Sequence, residues 1–209
     1  MKPTIFSSEQ LFNIDVPGGS IEALHGNQNA RFNAIICAPH PHHDGSMHNK
    51  VVATLASVCL EMNLNTLRFN YRGVGASTGT LPTYSAALQD VTFALHFLKP
   101  KPTICLGFSY GGYVAAYATG LVQASGLITV APSVAKMPFS DLPEIKCPWH
   151  MIQGMQDEVI DVSANHKLSL AKQCNWHAIP ETSHFFHGKL AILRETVRTI
   201  IAEIMEENA

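Results

Sequence analysis

Six consecutive residues, Gly107-Phe108-Ser109-Tyr110-Gly111-Gly112, offer the clearest chemistry in this chain. They follow the apolar run Thr103-Ile104-Cys105-Leu106 and lead into Tyr113-Val114-Ala115-Ala116-Tyr117-Ala118, which reads as a helix. A G-x-S-x-G pattern between a strand and a helix puts its serine on a sharp, strained turn, with the hydroxyl lifted off the sheet edge. Small residues two before and two after the serine let strand and helix approach closely. The backbone N–H of Tyr110 then faces a carbonyl under attack. Glycines also flank serines in ordinary turns, so the pattern alone decides little. A catalytic serine needs a histidine to take its proton and a carboxylate to orient that histidine.

Both partners can be found downstream. Met151-Ile152-Gln153 reads as a strand that runs into the loop Gly154-Met155-Gln156-Asp157-Glu158-Val159-Ile160. Asp157, directly after a strand and a glycine, is the candidate acid. Glu158 and Asp161 are its nearest competitors, and an aspartate here could equally form a turn or cap a helix. The stretch Ile179-Pro180-Glu181-Thr182-Ser183-His184-Phe185-Phe186-His187-Gly188 holds two histidines before the last helix. His184 lies closer to the strand end and is the candidate base. His187, expected on the first helical turn, is left to a supporting or surface role. The chain order Ser109, Asp157, His184 is that of hydrolases whose serine sits on a strand–turn–helix elbow. An oxyanion hole needs two backbone donors. Tyr110 is one; the other is expected in the loop after the third strand, where Pro41 has no N–H. His42 is the first choice there and His43 the alternative.

The elements that must hold these residues are legible in the apolar pattern. Residues 12–16 and 20–25 alternate around Pro17-Gly18-Gly19 and form a hairpin. Short, nearly all-apolar runs at 34–38, 66–69, 104–106 and 127–130 suit buried parallel strands, and two more strands are expected at 149–153 and 176–179. Val51, Val52, Leu55, Val58, Cys59 and Met62 recur at helical spacing. So do Leu88, Val91, Leu95 and Leu98, with Ser85 as a cap, and Leu190, Leu193, Val197, Ile200 and Ile204 at the C-terminus. A hairpin followed by repeated strand–helix units implies an α/β sandwich with a mostly parallel sheet. The stretch between Val130 and Trp149 is too short for a separate lid.

The chain's 209 residues suffice for one domain, expected to span residues 1–209. Charged residues make up 14%, against the ~25% usual in soluble domains. So sparse a charge is compatible with a homo-oligomer or an exposed apolar groove. A net charge of −2 and a pI near 6.6 argue against nucleic acid or an anionic membrane as partner. The five cysteines, Cys37, Cys59, Cys105, Cys147 and Cys174, are odd in number, form no C-x-x-C and read as buried thiols. They suit a reducing compartment. The first ten residues lack the apolar stretch of a signal peptide, and no run reaches the ~18 apolar residues of a membrane span. A cytoplasmic protein is expected.

The chain resembles the small, capless α/β-hydrolases of the predicted serine hydrolase group, close to dienelactone-hydrolase-like enzymes. The resemblance is carried by His40-Pro41-His42, by Gly45-Ser46-Met47-His48-Asn49-Lys50-Val51-Val52 and by Leu67-Arg68-Phe69-Asn70-Tyr71-Arg72-Gly73-Val74-Gly75-Ala76-Ser77. The elbow, the loop from Gly154 to Val159 and Ser183-His184-Phe185-Phe186 also carry it. It implies a three-layer α/β-hydrolase fold with an eight-stranded sheet, only the second strand antiparallel, helices on both faces and no cap. It also implies Ser109 as nucleophile, Asp157 as acid and His184 as base. The loop between His42 and Ser46 looks shorter than the family pattern, which bears on the second oxyanion donor. Dienelactone hydrolases proper use a cysteine, so their substrate is not carried over.

The expected activity is that of a serine hydrolase, a carboxylesterase or thioesterase acting on small acyl esters through an acyl-enzyme, with no cofactor and no metal. A non-catalytic ligand- or partner-binding member of the same fold is the main alternative. His40-Pro41-His42-His43-Asp44 also spells H-x-H-x-D, and with His48 it could open a zinc site. Gly45 stands where a further histidine would be needed, and no downstream ligand set follows, so a zinc hydrolase ranks below both. Gly73-Val74-Gly75-Ala76-Ser77-Thr78-Gly79 fails both the dinucleotide and the P-loop spacing. It is expected as a tight loop near the pocket, with Arg72 either bonded to a carbonyl or, by preference, a surface charge.

Overall fold

The computed structural model describes residues 4–43, 45–80 and 83–208. The chain opens with an antiparallel hairpin, β1 (Gln10–Val16) and β2 (Gly19–Gly26), closed by Gly18 at φ +83°. Strand–helix units follow: β3 (Asn33–Cys37), α1 (Lys50–Glu61), β4 (Asn65–Phe69), α2 (Tyr84–Phe97), β5 (Thr103–Phe108), α3 (Tyr110–Ala118) and β6 (Ala124–Val130). The chain continues through β7 (Trp149–Gly154), α4 (Val162–Ala171), β8 (Asn175–Ile179) and α5 (Leu190–Glu207). The eight strands form one sheet in the order β1-β2-β4-β3-β5-β6-β7-β8. Only β2 runs antiparallel to its neighbours.

The burial pattern explains why the inner strands carry no alternation. Every residue of β3, β4, β5 and β7 is buried, because helices cover both faces of the sheet. Helix α1 packs with α5, and α2 packs with α3. The apolar spacing read for α1 and α5 is the spacing that is buried: Val51, Val52, Leu55, Val58 and Cys59 on one, Leu193, Val197, Ile200 and Ile204 on the other. The link from β6 to β7 holds only two short 3-10 turns, Val134–Lys136 and Phe139–Asp141, with no cap between them.

Several local expectations are corrected. Thr83, not Ser85, caps α2: its Oγ1 accepts the Ala86 N–H, and Ser85 sits inside the first turn. Helix α4 is an element the apolar spacing did not announce. Its buried positions are Asn165 and Ser169, while Leu170 is exposed, so no apolar stripe marks it. Arg72 is not a lone surface charge. Its guanidinium donates to the buried Asp90 carboxylate at 2.6 and 2.9 Å, tying the loop after β4 to α2. That loop also hangs on β2 through the Ala76 N–H to Glu22, and residues 73–79 do not line the cavity at Ser109. Cys37, Cys59 and Cys105 are buried thiols as expected, but Cys147 and Cys174 are only partly so. A buried ion pair anchors the start of the chain. Arg68 donates to both Glu9 carboxylate oxygens, at 2.8 and 2.5 Å, and to the Met47 carbonyl. Removing one partner of such a pair costs ~3–5 kcal/mol, since the other charge is left buried alone.

Candidate active site

Ser109 sits between β5 and α3 with φ 55° and ψ −118°, a conformation that L residues avoid and that costs ~1–3 kcal/mol. The surroundings hold it there. Its N–H donates to the Val130 carbonyl at 2.8 Å, and its carbonyl accepts from Gly112 N at 3.0 Å and Ser133 N at 3.3 Å. The flanking glycines are required by contact. A Cβ on Gly107 would lie 2.0 Å from the Gly111 carbonyl oxygen, and one on Gly111 would lie 2.2 Å from that of Cys37. The turn is therefore jammed against both its own helix and the end of β3. Ser109 is also the N-cap of α3 but makes no side-chain capping bond. The first N–H groups of a helix have no partner within it, and the Tyr110 amide, the first of α3, is one of these.

The loops after β7 and β8 bring Asp157 and His184 together. His184 Nδ1 lies 2.8 Å from Asp157 Oδ2, and both side chains are almost fully buried. The carboxylate is gripped on every side. Its Oδ1 accepts the N–H groups of Val159 (2.9 Å) and Ile160 (2.8 Å), and its Oδ2 also accepts from Gln153 Nε2 at 3.1 Å. Burial pushes this carboxyl upward. The hydrogen bond from His184 and those from the two backbone amides outweigh it and hold the group below the ordinary aspartate range. The imidazole packs on the Phe108 ring with centroids 5.0 Å apart, which sets it beside the residue that precedes the serine. Its rivals go elsewhere. Asp161 caps α4 through the Ala164 N–H, and Glu158 accepts the His184 backbone N–H at 3.2 Å. His187 is exposed, against Phe185, in the turn before α5 rather than on its first turn.

A cavity of about 170 Å³ opens beside the serine. His40, Tyr84 and Tyr110 form an aromatic side, Met137, Val159 and Ile160 an apolar one, and Ser133 and Lys136 a polar one. Larger hollows exist at the opposite ends of the strands, around Lys99 and Lys101, away from the serine. Ser133 Oγ lies 3.4 Å from Ser109 Oγ, delivered by a turn in which Ala131 takes φ +44°. Sequence spacing missed Ser133 and Gln153; only their places at the ends of β6 and β7 could have marked them.

His42 is exposed in the 3-10 turn Pro41–His43, and its N–H donates to His40 Nδ1 at 3.1 Å. It is His40, not His42, that lines the cavity and meets the Tyr110 ring edge-on. The structure thus brings Ser109, Tyr110 and the His184–Asp157 pair to one edge of the sheet and leaves the His42 amide turned to its neighbour. Asp44 of the H-x-H-x-D pattern lies outside the described residues. Among the described residues no three His, Cys, Asp or Glu side chains gather as metal ligands would.

Comparison with known proteins agrees with this architecture. Residues 24–143 match the alpha/beta hydrolase family. The chain belongs to that family. Among solved structures, an alpha-beta serine hydrolase homologue from Coxiella burnetii is 33% identical, with a TM-score of 0.85 over 94% of this chain and 99% of that one. An α/β serine hydrolase without a lid, from Xanthomonas campestris, is 28% identical, with a TM-score of 0.78 over 97% of each chain. An uncharacterized protein of Rickettsia prowazekii is 28% identical over 136 residues, 61% of this chain and 57% of its own length. The chain thus spans about half the length of the curated relatives it matches; for an alpha/beta hydrolase domain-containing protein of Caenorhabditis elegans the share is 44%. Among the described residues no helix is long and apolar enough to cross a membrane.

Proposed function

We propose that this alpha/beta hydrolase is a serine carboxylesterase for small acyl esters, working through a Ser109-His184-Asp157 triad. The observation that carries the reading is the strained Ser109 turn together with the 2.8 Å His184–Asp157 hydrogen bond at the same edge of the sheet. A serine held at φ 55°, ψ −118° on a strand–helix turn, where its surroundings maintain the strain, supports a functional role for its hydroxyl.

His184 Nε2 takes the Ser109 proton as Oγ attacks the ester carbonyl. Asp157 holds Nδ1–H and stabilises the imidazolium that forms. The negative charge gathering on the carbonyl oxygen is met by the Tyr110 amide at the start of α3. A second donor from the loop after β3 completes the oxyanion hole. His42, the position favoured by spacing, must first release His40 Nδ1 to serve, whereas His40 already borders the cavity. The imidazolium then gives its proton to the leaving alcohol. Water, deprotonated by the same histidine, releases the acid from Ser109. None of these steps calls for a cofactor.

The cavity is well below the ~300–1,000 Å³ of sites for drug-sized ligands. Its size and its apolar side of Met137, Val159 and Ile160 favour a short acyl chain. Hydrolysis of p-nitrophenyl acetate and butyrate is expected, falling with longer chains, and Ser109→Ala is expected to abolish it. Equal rates for wild type and Ser109→Ala would overturn the assignment.

A further inference from the structure

Behind the candidate acid lies a buried polar chain that the mechanism above does not use. Gln153, the penultimate residue of β7, and Asn165, in the first half of α4, are both fully buried. Asn165 Nδ2 donates to Gln153 Oε1 at 2.7 Å. Gln153 Nε2 donates to Asp157 Oδ2 at 3.1 Å and to the Gly154 carbonyl at 3.0 Å. Asp157 Oδ2 receives His184 Nδ1 at 2.8 Å. Four side chains from β7, α4 and two loops are thus linked in one line that ends on the imidazole.

The chemistry of the line fixes the orientation of each amide. The Asp157 carboxylate and the Gly154 carbonyl are both acceptors, so the Gln153 end that faces them must be its NH₂. Its oxygen then points at Asn165, which must answer with its own NH₂. The reverse setting of Asn165 would put two amide oxygens 2.7 Å apart. The chosen setting has a cost: Asn165 Oδ1 is buried with no protein partner among the described residues. A pair kept only for stability would be better served by apolar side chains of the same volume, such as its β7 neighbours Met151 and Ile152.

We propose that Gln153 and Asn165 are positioning residues for the acid. Asn165 locks the Gln153 amide, and that amide holds Asp157 Oδ2 in line with His184 Nδ1–H. The proposal rests on the Asp157–His184 reading of the site. Without the amide, Asp157 keeps its Oδ1 anchor on the Val159 and Ile160 amides but is free to turn about it. Without Asn165, the amide can rotate and present its oxygen to the carboxylate.

Three variants test this: Gln153→Met, Asn165→Leu and the double variant. Gln153→Met is expected to lower kcat for p-nitrophenyl acetate about tenfold with KM unchanged, since a misplaced catalytic group costs rate rather than binding. Asn165→Leu is expected to lower kcat by less, with Tm close to wild type, because it also removes the unpartnered oxygen. The double variant is expected to be no slower than Gln153→Met alone, as two residues in series act through one contact. A structural role instead predicts a loss of Tm with kcat of the folded protein intact. The second readout does not depend on esterase activity. The low-field proton resonance of His184 Nδ1–H is expected to move to higher field and exchange faster with water in both single variants. An unmoved resonance, or kcat losses that add in the double variant, would overturn the proposal. Absence of esterase activity in wild type would instead overturn the functional reading and leave the resonance to decide this one. Should Gln153→Met fail to fold, Asn165→Leu carries the same two readouts.

Discussion

Strands β7 and β8, with the loops that follow them, hold two pairs built on a buried histidine, with opposite results. Beyond the strand ends, His184 Nδ1 meets the Asp157 carboxylate at 2.8 Å. Within the strands, His150 Nδ1 meets His177 Nε2 at 3.1 Å, the two rings stacked 5.3 Å apart. Both leading histidines are almost fully buried. The difference lies in the partner. A carboxylate offers a negative charge to an imidazolium, so His184 can gain a proton during a reaction without an uncompensated charge. A second imidazole offers none. Burial first, and then the neighbouring His177, push His150 down to about 4. His177 is lowered by burial as well, with Glu203 pulling the other way. Burial alone therefore does not suit a histidine to base catalysis. The role proposed for His184 rests on its position at the strand ends and on its fixed carboxylate.

Taking the charge from the first pair has the largest expected effect. Asp157→Asn keeps the shape but presents the wrong partner to Nδ1, and kcat on short esters is expected to fall about 10,000-fold. A loss of only a few-fold would mean that His184 needs its carboxylate no more than His150 does. A smaller effect is expected from the hydroxyl beside Ser109. Ser133→Ala removes a 3.4 Å contact and should change kcat by about two- to fivefold, the worth of one weak hydrogen bond. The second pair should leave catalysis untouched and appear only in stability. In the unfolded chain His150 takes up a proton near its ordinary value of 6.5, whereas in the fold it does so only near 4. Between these pH values the unfolded state binds more protons, so stability falls as pH drops from about 6.5 to about 4. Urea unfolding of His150→Gln across this range should show a shallower acid-side loss, with kcat at neutral pH unchanged.

Much of this was legible in the chain itself. The eight strands were readable because each inner one is a short run buried on both faces, and α1 and α5 because their apolar stripes are the faces that pack. That Ser109, Asp157 and His184 converge on one edge of the sheet was readable because each falls at a strand end. What the sequence hid were polar residues whose meaning depends on distant partners. Helix α4 escaped because it buries Asn165 and Ser169 rather than an apolar stripe. Gln153 looked like the last residue of an ordinary strand until Asn165 and Asp157 were seen on either side of it. The second oxyanion donor turns on which way one amide points, and spacing says nothing of that: the His42 N–H is bonded to the ring of His40.

Whether Ser109 is a nucleophile activated by His184 is tested, without knowledge of the substrate, by intact-mass analysis after treatment with a fluorophosphonate probe. A single adduct is expected, mapped to Ser109, absent in Ser109→Ala and formed far more slowly in His184→Ala. No adduct on the folded wild-type protein, or an adduct that survives Ser109→Ala, would contradict that role.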